Sequence, residues 1–296
     1  MAIFSGLLII LSYWQFSGFE ATVNSLATPS QLFCKSLLNF DSHHLVFYQA
    51  IACGTAIRTS KYDILKTISL WHIVIVSAGH FRVIQWVLAK SKLEKSWIYH
   101  PILLLFCFWT GAQAPVVRSY IELISNTTSK YLKLWIPSSY ILLYSSCLGI
   151  ILFPSWVSSW SFLLSWLCAI LIAHLNKKSL LIQSIGISIG VYPIMCFFSP
   201  PHYLSFLFNF ILGPTLSLLL FPATLLMVIL PWLHFVTDPF LDFLIFIIPK
   251  LINNPEPVDL FFNSKLSQLT FGWIYILSLQ FCLIFRHRKT NENFKI

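Results

Sequence analysis

Apolar stretches recur along almost the whole chain, from Met1 to Phe285, with little polar sequence between them. A chain patterned this way has too little polar sequence to cover a water-soluble core, so it needs lipid around its helices. Only 10% of the residues are charged, against 57% hydrophobic and 17% aromatic, and the mean hydropathy is +0.77. An ordinary soluble domain carries about 25% charged residues. A soluble globular enzyme, a disordered chain, a disulfide scaffold and a coiled coil are therefore excluded. In lipid every backbone polar group needs a partner, and long apolar runs meet that need as helices. The expected fold is all-α, a polytopic transmembrane helical bundle of about 7–10 membrane segments.

Bounded by proline or charge, the segments fall near 2–19, 44–57, 68–89, 98–117, 131–153, 156–175, 180–199, 203–233, 236–250 and 269–285. Those at 44–57 and 236–250 are short for a crossing and suit interfacial, re-entrant or tilted pieces. The expected organisation is an N-terminal helix and connection over 1–44, a membrane domain over 45–285 and a basic tail over 286–296. Pro214, Pro222, Pro231, Pro239 and Pro249 punctuate one nearly unbroken apolar stretch. Each removes a backbone donor and crowds the preceding turn, so these helices are expected to be kinked or broken. Discontinuous helices point to a translocation path and are also a plain feature of many membrane bundles.

Nineteen Lys and Arg against ten Asp and Glu give a formal charge of +9. That excess suits an anionic partner, nucleic acid or phospholipid headgroups, although basic residues flanking helices also serve to set topology. Of the clusters at Lys90, Lys92 and Lys95, at Lys177 and Lys178, and at Arg286, His287, Arg288 and Lys289, the last is densest and is expected to face the cytoplasm. The seven cysteines stand singly, with no C-x-x-C pair and no zinc-type spacing, and read as small packing residues. Asp238 and Asp242, four residues apart, read as marking a helix start at the headgroup layer.

Four constellations place polar groups where lipid tolerates them only with a reason. In the first, His72, Ser77, His80, Arg82 and Gln85 interrupt the apolar run 68–89, and Gly79 breaks or closely packs that helix. A metal role for His72 and His80 competes with inter-helix hydrogen bonding, which is favoured because no carboxylate shares the motif. In the second, Gly111, Pro115, Arg118 and Glu122 share one stripe if the helix continues through the proline. Arg118 then either pairs with Glu122 or snorkels to the headgroups. The third is Phe153-Pro154 followed by Ser158, Ser161 and Ser165, a small stripe suited to close packing. In the fourth, Asn209 stands just before Gly213-Pro214 and Pro222, where its amide could bond a freed carbonyl.

In order and spacing these four blocks resemble the signature of the ComEC competence family, the inner-membrane channel for transforming DNA. A stretch like H-L-L-A-V-S-G-L-H is here His72 to His80, with Ser77 in place and Ala78-Gly79 replacing Gly-Leu. The later blocks are Gly111 to Arg118-Ser119; Phe153-Pro154 with Phe162 to Ser165, where Phe153 replaces an aspartate; and Asn209, Pro214 and Pro222. The resemblance covers about residues 45 to 285. It implies a bacterial inner-membrane protein that passes single-stranded DNA into the cytoplasm during natural transformation, with His72, Ser77, His80, Arg118 and Asn209 along the path.

Family members also carry an OB-like domain and a metallo-β-lactamase-like nuclease domain, whereas these residues hold no H-x-H-x-D-H and no G-x-x-x-x-G-K-[ST] loop. No enzyme activity, metal or cofactor is therefore expected. The implied partners are single-stranded DNA, membrane lipid, a separate OB-like domain, a nuclease, a cytosolic motor or DNA-binding proteins, and further copies of the chain. The competing readings are a divergent member acting as a scaffold or as a channel for another solute, and a membrane enzyme for which acids are scarce. Trp71, Trp86, Trp109, Trp156 and Trp166 could stack on bases or serve as interfacial anchors.

Overall fold

The computed structural model describes residues 2–67, 70, 77–175, 178–197, 205–251 and 264–292. Among them the fold is helical without strands, an all-α membrane protein. Three stretches are long and apolar enough to cross a bilayer: Ser205–Leu226, Pro231–Lys250 and Lys265–Arg286. Shorter apolar helices cover Tyr99–Trp109, Ser138–Leu152, Trp160–Leu175 and Leu181–Met195. The segment expected to be short at 236–250 is thus long enough to cross. Pro231 opens a 3-10 turn that runs straight into the helix His234–Leu251, joining residues that the segment boundary at 233–236 had separated.

The chain divides into two compact units. The first comprises Met1–Asn24, Val117–Val191 and Phe261–Ile296. Its helix Lys265–Glu292 runs through the apolar stretch and on into the basic segment, and packs along Trp160–Leu175. Phe162, Leu163, Trp166, Leu167 and Ile170 supply the core, and Trp166, with 1% exposure, is fully enclosed. Polar side chains sit where helices end. Trp166 Nε1 donates to Gln280 Oε1 at 3.3 Å, and Gln280 Nε2 donates to the Ser139 carbonyl at 2.9 Å. At the break after Phe153, Pro154 starts a 3-10 turn whose Val157 carbonyl accepts from Trp273 Nε1 at 2.9 Å. Arg286 donates to the carbonyl of His174 in the last turn of Trp160–Leu175, where a cation suits the helix dipole.

The second unit comprises Ser25–Val116 and Tyr192–Leu260. The helix Leu45–Cys53 buries Phe47, Tyr48 and Ala50 to Cys53, so the short segment at 44–57 is packed inside the protein. That helix ends at Gly54, whose φ of 69° is the left-handed C-cap that glycine adopts at least cost. A Cβ there would lie 2.6 Å from the Thr110 carbonyl oxygen. Gln31 Nε2 donates to the carbonyls of Cys53 at 2.8 Å and Gly54 at 3.2 Å, and Gln113 Nε2 donates to Gly54 at 3.1 Å. Gly111, at φ 72°, leaves room for the same Gln31 amide, which a Cβ would meet at 2.6 Å.

Cys34 and Cys53 form a disulfide with a Cα–Cα distance of 5.8 Å. The reading of every cysteine as a lone packing residue is corrected at this pair. Nineteen residues separate the two, and only the turn back from helix Ala2–Leu37 into Leu45–Cys53 brings them together. Such bonds persist in oxidising compartments.

The expected breaks are not what these prolines produce: the helices continue through them, by different means. Pro214 lies inside helix Ser205–Thr215, which continues as a π-helical turn at Leu216–Leu220 and then as helix Phe221–Leu226 with Pro222 in its first turn. The wider turn absorbs the missing donors without ending the rod. Pro239 and Pro249 are carried inside His234–Leu251.

Denatured but unreduced protein should take up five alkyl groups and reduced protein seven, measured by mass spectrometry. Equal uptake would show that Cys34 and Cys53 are not joined. Gly54→Ala should lower stability by about 2 kcal/mol, through its left-handed backbone and the close Thr110 carbonyl, read as a drop in thermal midpoint in detergent.

Candidate functional site

The first constellation is not one continuous helix. Ser77 is extended, at φ −118° and ψ 169°, and a new helix starts behind it at Ala78–Lys90. The break therefore falls at Ser77, not at Gly79, and the serine's hydrogen bonding explains it. Ser77 Oγ accepts from the Gly79 N–H at 3.2 Å, and the Ser77 N–H donates to His80 Nδ1 at 3.1 Å. This is a capping box with histidine in the place usually held by glutamate. The i, i+3 spacing of Ser77 and His80 is what the reciprocal cap requires.

The cap also fixes the imidazole. A backbone N–H only donates, so His80 Nδ1 is the acceptor and the ring proton sits on Nε2. His80 is fully buried, its ring stacks on Phe221 at 4.3 Å, and Nε2 has no hydrogen-bond partner among the described residues. Buried donors are nearly always paired, and an unpaired one needs a reason. His72 lies outside the described residues. Asn209, on helix Ser205–Thr215, buries an Oδ1 that likewise has no partner among the described residues.

Arg118 belongs to the first unit. The expected stripe through Gly111 is interrupted, because Gly111 adopts a left-handed turn and helix Ala114–Tyr131 begins beyond it. Pro115 falls in the first helical turn, where its missing donor costs nothing. Pro115, Arg118 and Glu122 remain on one face, and the ion pair forms: Arg118 Nη1 lies 3.0 Å from Glu122 Oε2, and Nε donates to Ser165 Oγ at 3.0 Å. At 1% exposure Arg118 does not snorkel. Ser165 is the serine of the third block that takes this part, while Ser158 and Ser161 are exposed. Pro154 is buried and opens the 3-10 turn.

Two of the tryptophans are packing residues. Trp156 stacks on Phe153 at 4.2 Å, which is what the phenylalanine does at the position where the family carries an aspartate. Trp166 is core, Trp86 is 60% exposed, and Trp71 lies outside the described residues.

The family model described as Competence protein matches residues 65–289. The chain belongs to the Competence protein family. Its match is to the ComEC membrane domain, a family of membrane-channel type and not a known catalytic one. Neither a curated protein nor a solved structure shows a significant match to the chain. The family extent includes Ser77, His80, Arg118, Ser165 and Asn209 but leaves Gln31 and the Cys34–Cys53 bond outside it.

Glu122→Ala removes the acid partner of a buried guanidinium and should destabilise the protein by about 3 kcal/mol, whereas Arg118→Leu combined with Glu122→Leu should cost less than the two single changes added together. Thermal midpoints of these four variants and the wild type in detergent check this, and strict additivity would show that the pair is not coupled.

Proposed function

We propose that this Competence family member passes single-stranded DNA through a bacterial inner membrane into the cytoplasm. The observation that carries the reading is the fully buried His80, whose Nε2–H finds no acceptor among the described residues and lies inside the family match. A strand crossing lipid exchanges water for polar groups and basic charge, and phosphate or base oxygens are natural acceptors for such a donor. Asn209 Oδ1 would accept from base amines, and Arg118, buried at 1% exposure between Glu122 and Ser165, supplies a guanidinium inside the family match. Lys90 and Lys92 add basic charge at the end of the helix that His80 begins. An OB-like domain, a nuclease and a cytosolic motor are the partners such a path needs.

The test uses a transformable host lacking its own channel and supplied with those partners. Labelled strand should reach the cytosol with the intact chain and fall at least tenfold with His80→Ala at equal membrane abundance. His80→Gln, which keeps an acceptor for the Ser77 N–H and a side-chain donor, should retain part of the uptake. No uptake by the intact chain would overturn the proposal and favour a scaffold or another solute.

A further inference from the structure

His43 and His44, in the connection ahead of helix Leu45–Cys53, meet two acids of helix His234–Leu251. Asp238 and Asp242 lie one turn apart and share a face of that helix. His43 Nε2 is 3.0 Å from Asp242 Oδ2, and His44 Nε2 is 3.0 Å from Asp242 Oδ1. In a tetrahedral shell with metal bonds near 2.0 Å, neighbouring ligand atoms stand about 3.3 Å apart, so little movement separates this cluster from a coordination shell.

We propose that His43 Nε2, His44 Nε2 and the Asp242 carboxylate bind one divalent transition-metal ion of the zinc class.

The surroundings fit that use. His44 is fully buried, and its other nitrogen, Nδ1, lies 2.8 Å from the Tyr62 hydroxyl. With Tyr62 accepting from Nδ1–H, Nε2 turns its lone pair toward the carboxylate, the tautomer a metal between them needs.

Asp238 is fixed as a second negative charge by Tyr48, whose hydroxyl donates at 2.6 Å, and by Ser42 at 2.8 Å, and it stands 3.9 Å from His43 Nδ1. The side chains of His43 and Asp242 are 55% and 52% exposed, which leaves the remaining positions to water. Two imidazoles and a carboxylate with an open side suit zinc or a similar ion better than magnesium or calcium, which prefer oxygen alone. One group opposes a cation: Lys61 Nζ, 3.8 Å from Asp242 Oδ1.

That opposition gives the test a direction that a hydrogen-bonded cap would not share. Purified full-length chain in detergent, stripped with chelator, is titrated with Zn2+ against a chromophoric competitor, and with Co2+ for its visible bands. One equivalent should bind to the wild type. Asp242→Asn, which can keep its hydrogen bonds to both histidines, and His44→Ala should each weaken binding at least tenfold. Tyr62→Phe should weaken it about tenfold by freeing the His44 ring. Lys61→Ala should tighten it severalfold while leaving the fold in place. Zinc uptake by the wild type no greater than that of Asp242→Asn, with Lys61→Ala neutral, would overturn the proposal and leave the cluster as a hydrogen-bonded link between its two segments.

Discussion

A backbone polar group set free inside apolar surroundings must find another partner, and each unit of this protein is organised around meeting that demand. Glycine and proline end helices again and again within the apolar sequence, and at several ends a side chain from a distant element takes over the orphaned carbonyl. Gln31 and Gln113 serve the end of Leu45–Cys53, Trp273 serves the turn after Phe153, and Arg286 serves the end of Trp160–Leu175. In water these carbonyls would be solvated at no cost. In lipid the same bonds tie together elements that apolar packing alone would hold only loosely, since lipid is as apolar as a leucine face.

The same demand explains why the signature residues are what they are. Ser77 and His80 cap each other's backbone and begin a helix, so one motif is both a structural start signal and the source of a buried donor. Arg118 sits in apolar helices because Glu122 and Ser165 satisfy it. In both cases the group that could meet a passing anion is already held in place by its own neighbours, which is the condition for a site that does not need to reorganise.

The class of fold was legible because it follows from composition and run length, which are properties of the sequence as a whole. The pairing of Arg118 with Glu122 was legible as one of two readings, because the two stand four residues apart and helical geometry fixes such distances. The stripe through Gly111 was misread because it needed the helix to include Gly111 and Ala112, where the backbone turns left-handed instead. What lay beyond the sequence was contact between remote segments. Cys34 meets Cys53 only after the chain reverses, and His44 meets Asp242 across 198 positions. No periodicity encodes either meeting.

Gly54 and Gly111 bracket a single amide, that of Gln31, and neither carries a side chain that could act on anything. A comparison across relatives would nevertheless mark such positions as intolerant of change, as strictly as it marks a ligand. Their invariance would record a shape, two backbones and one side chain brought too close for a methyl group, and would say nothing about cargo. In a protein whose working residues are few and buried, substitution maps will therefore mix two kinds of rigid position, and chemical rescue separates them: a lost donor or acceptor can be replaced by another group, but a lost gap cannot.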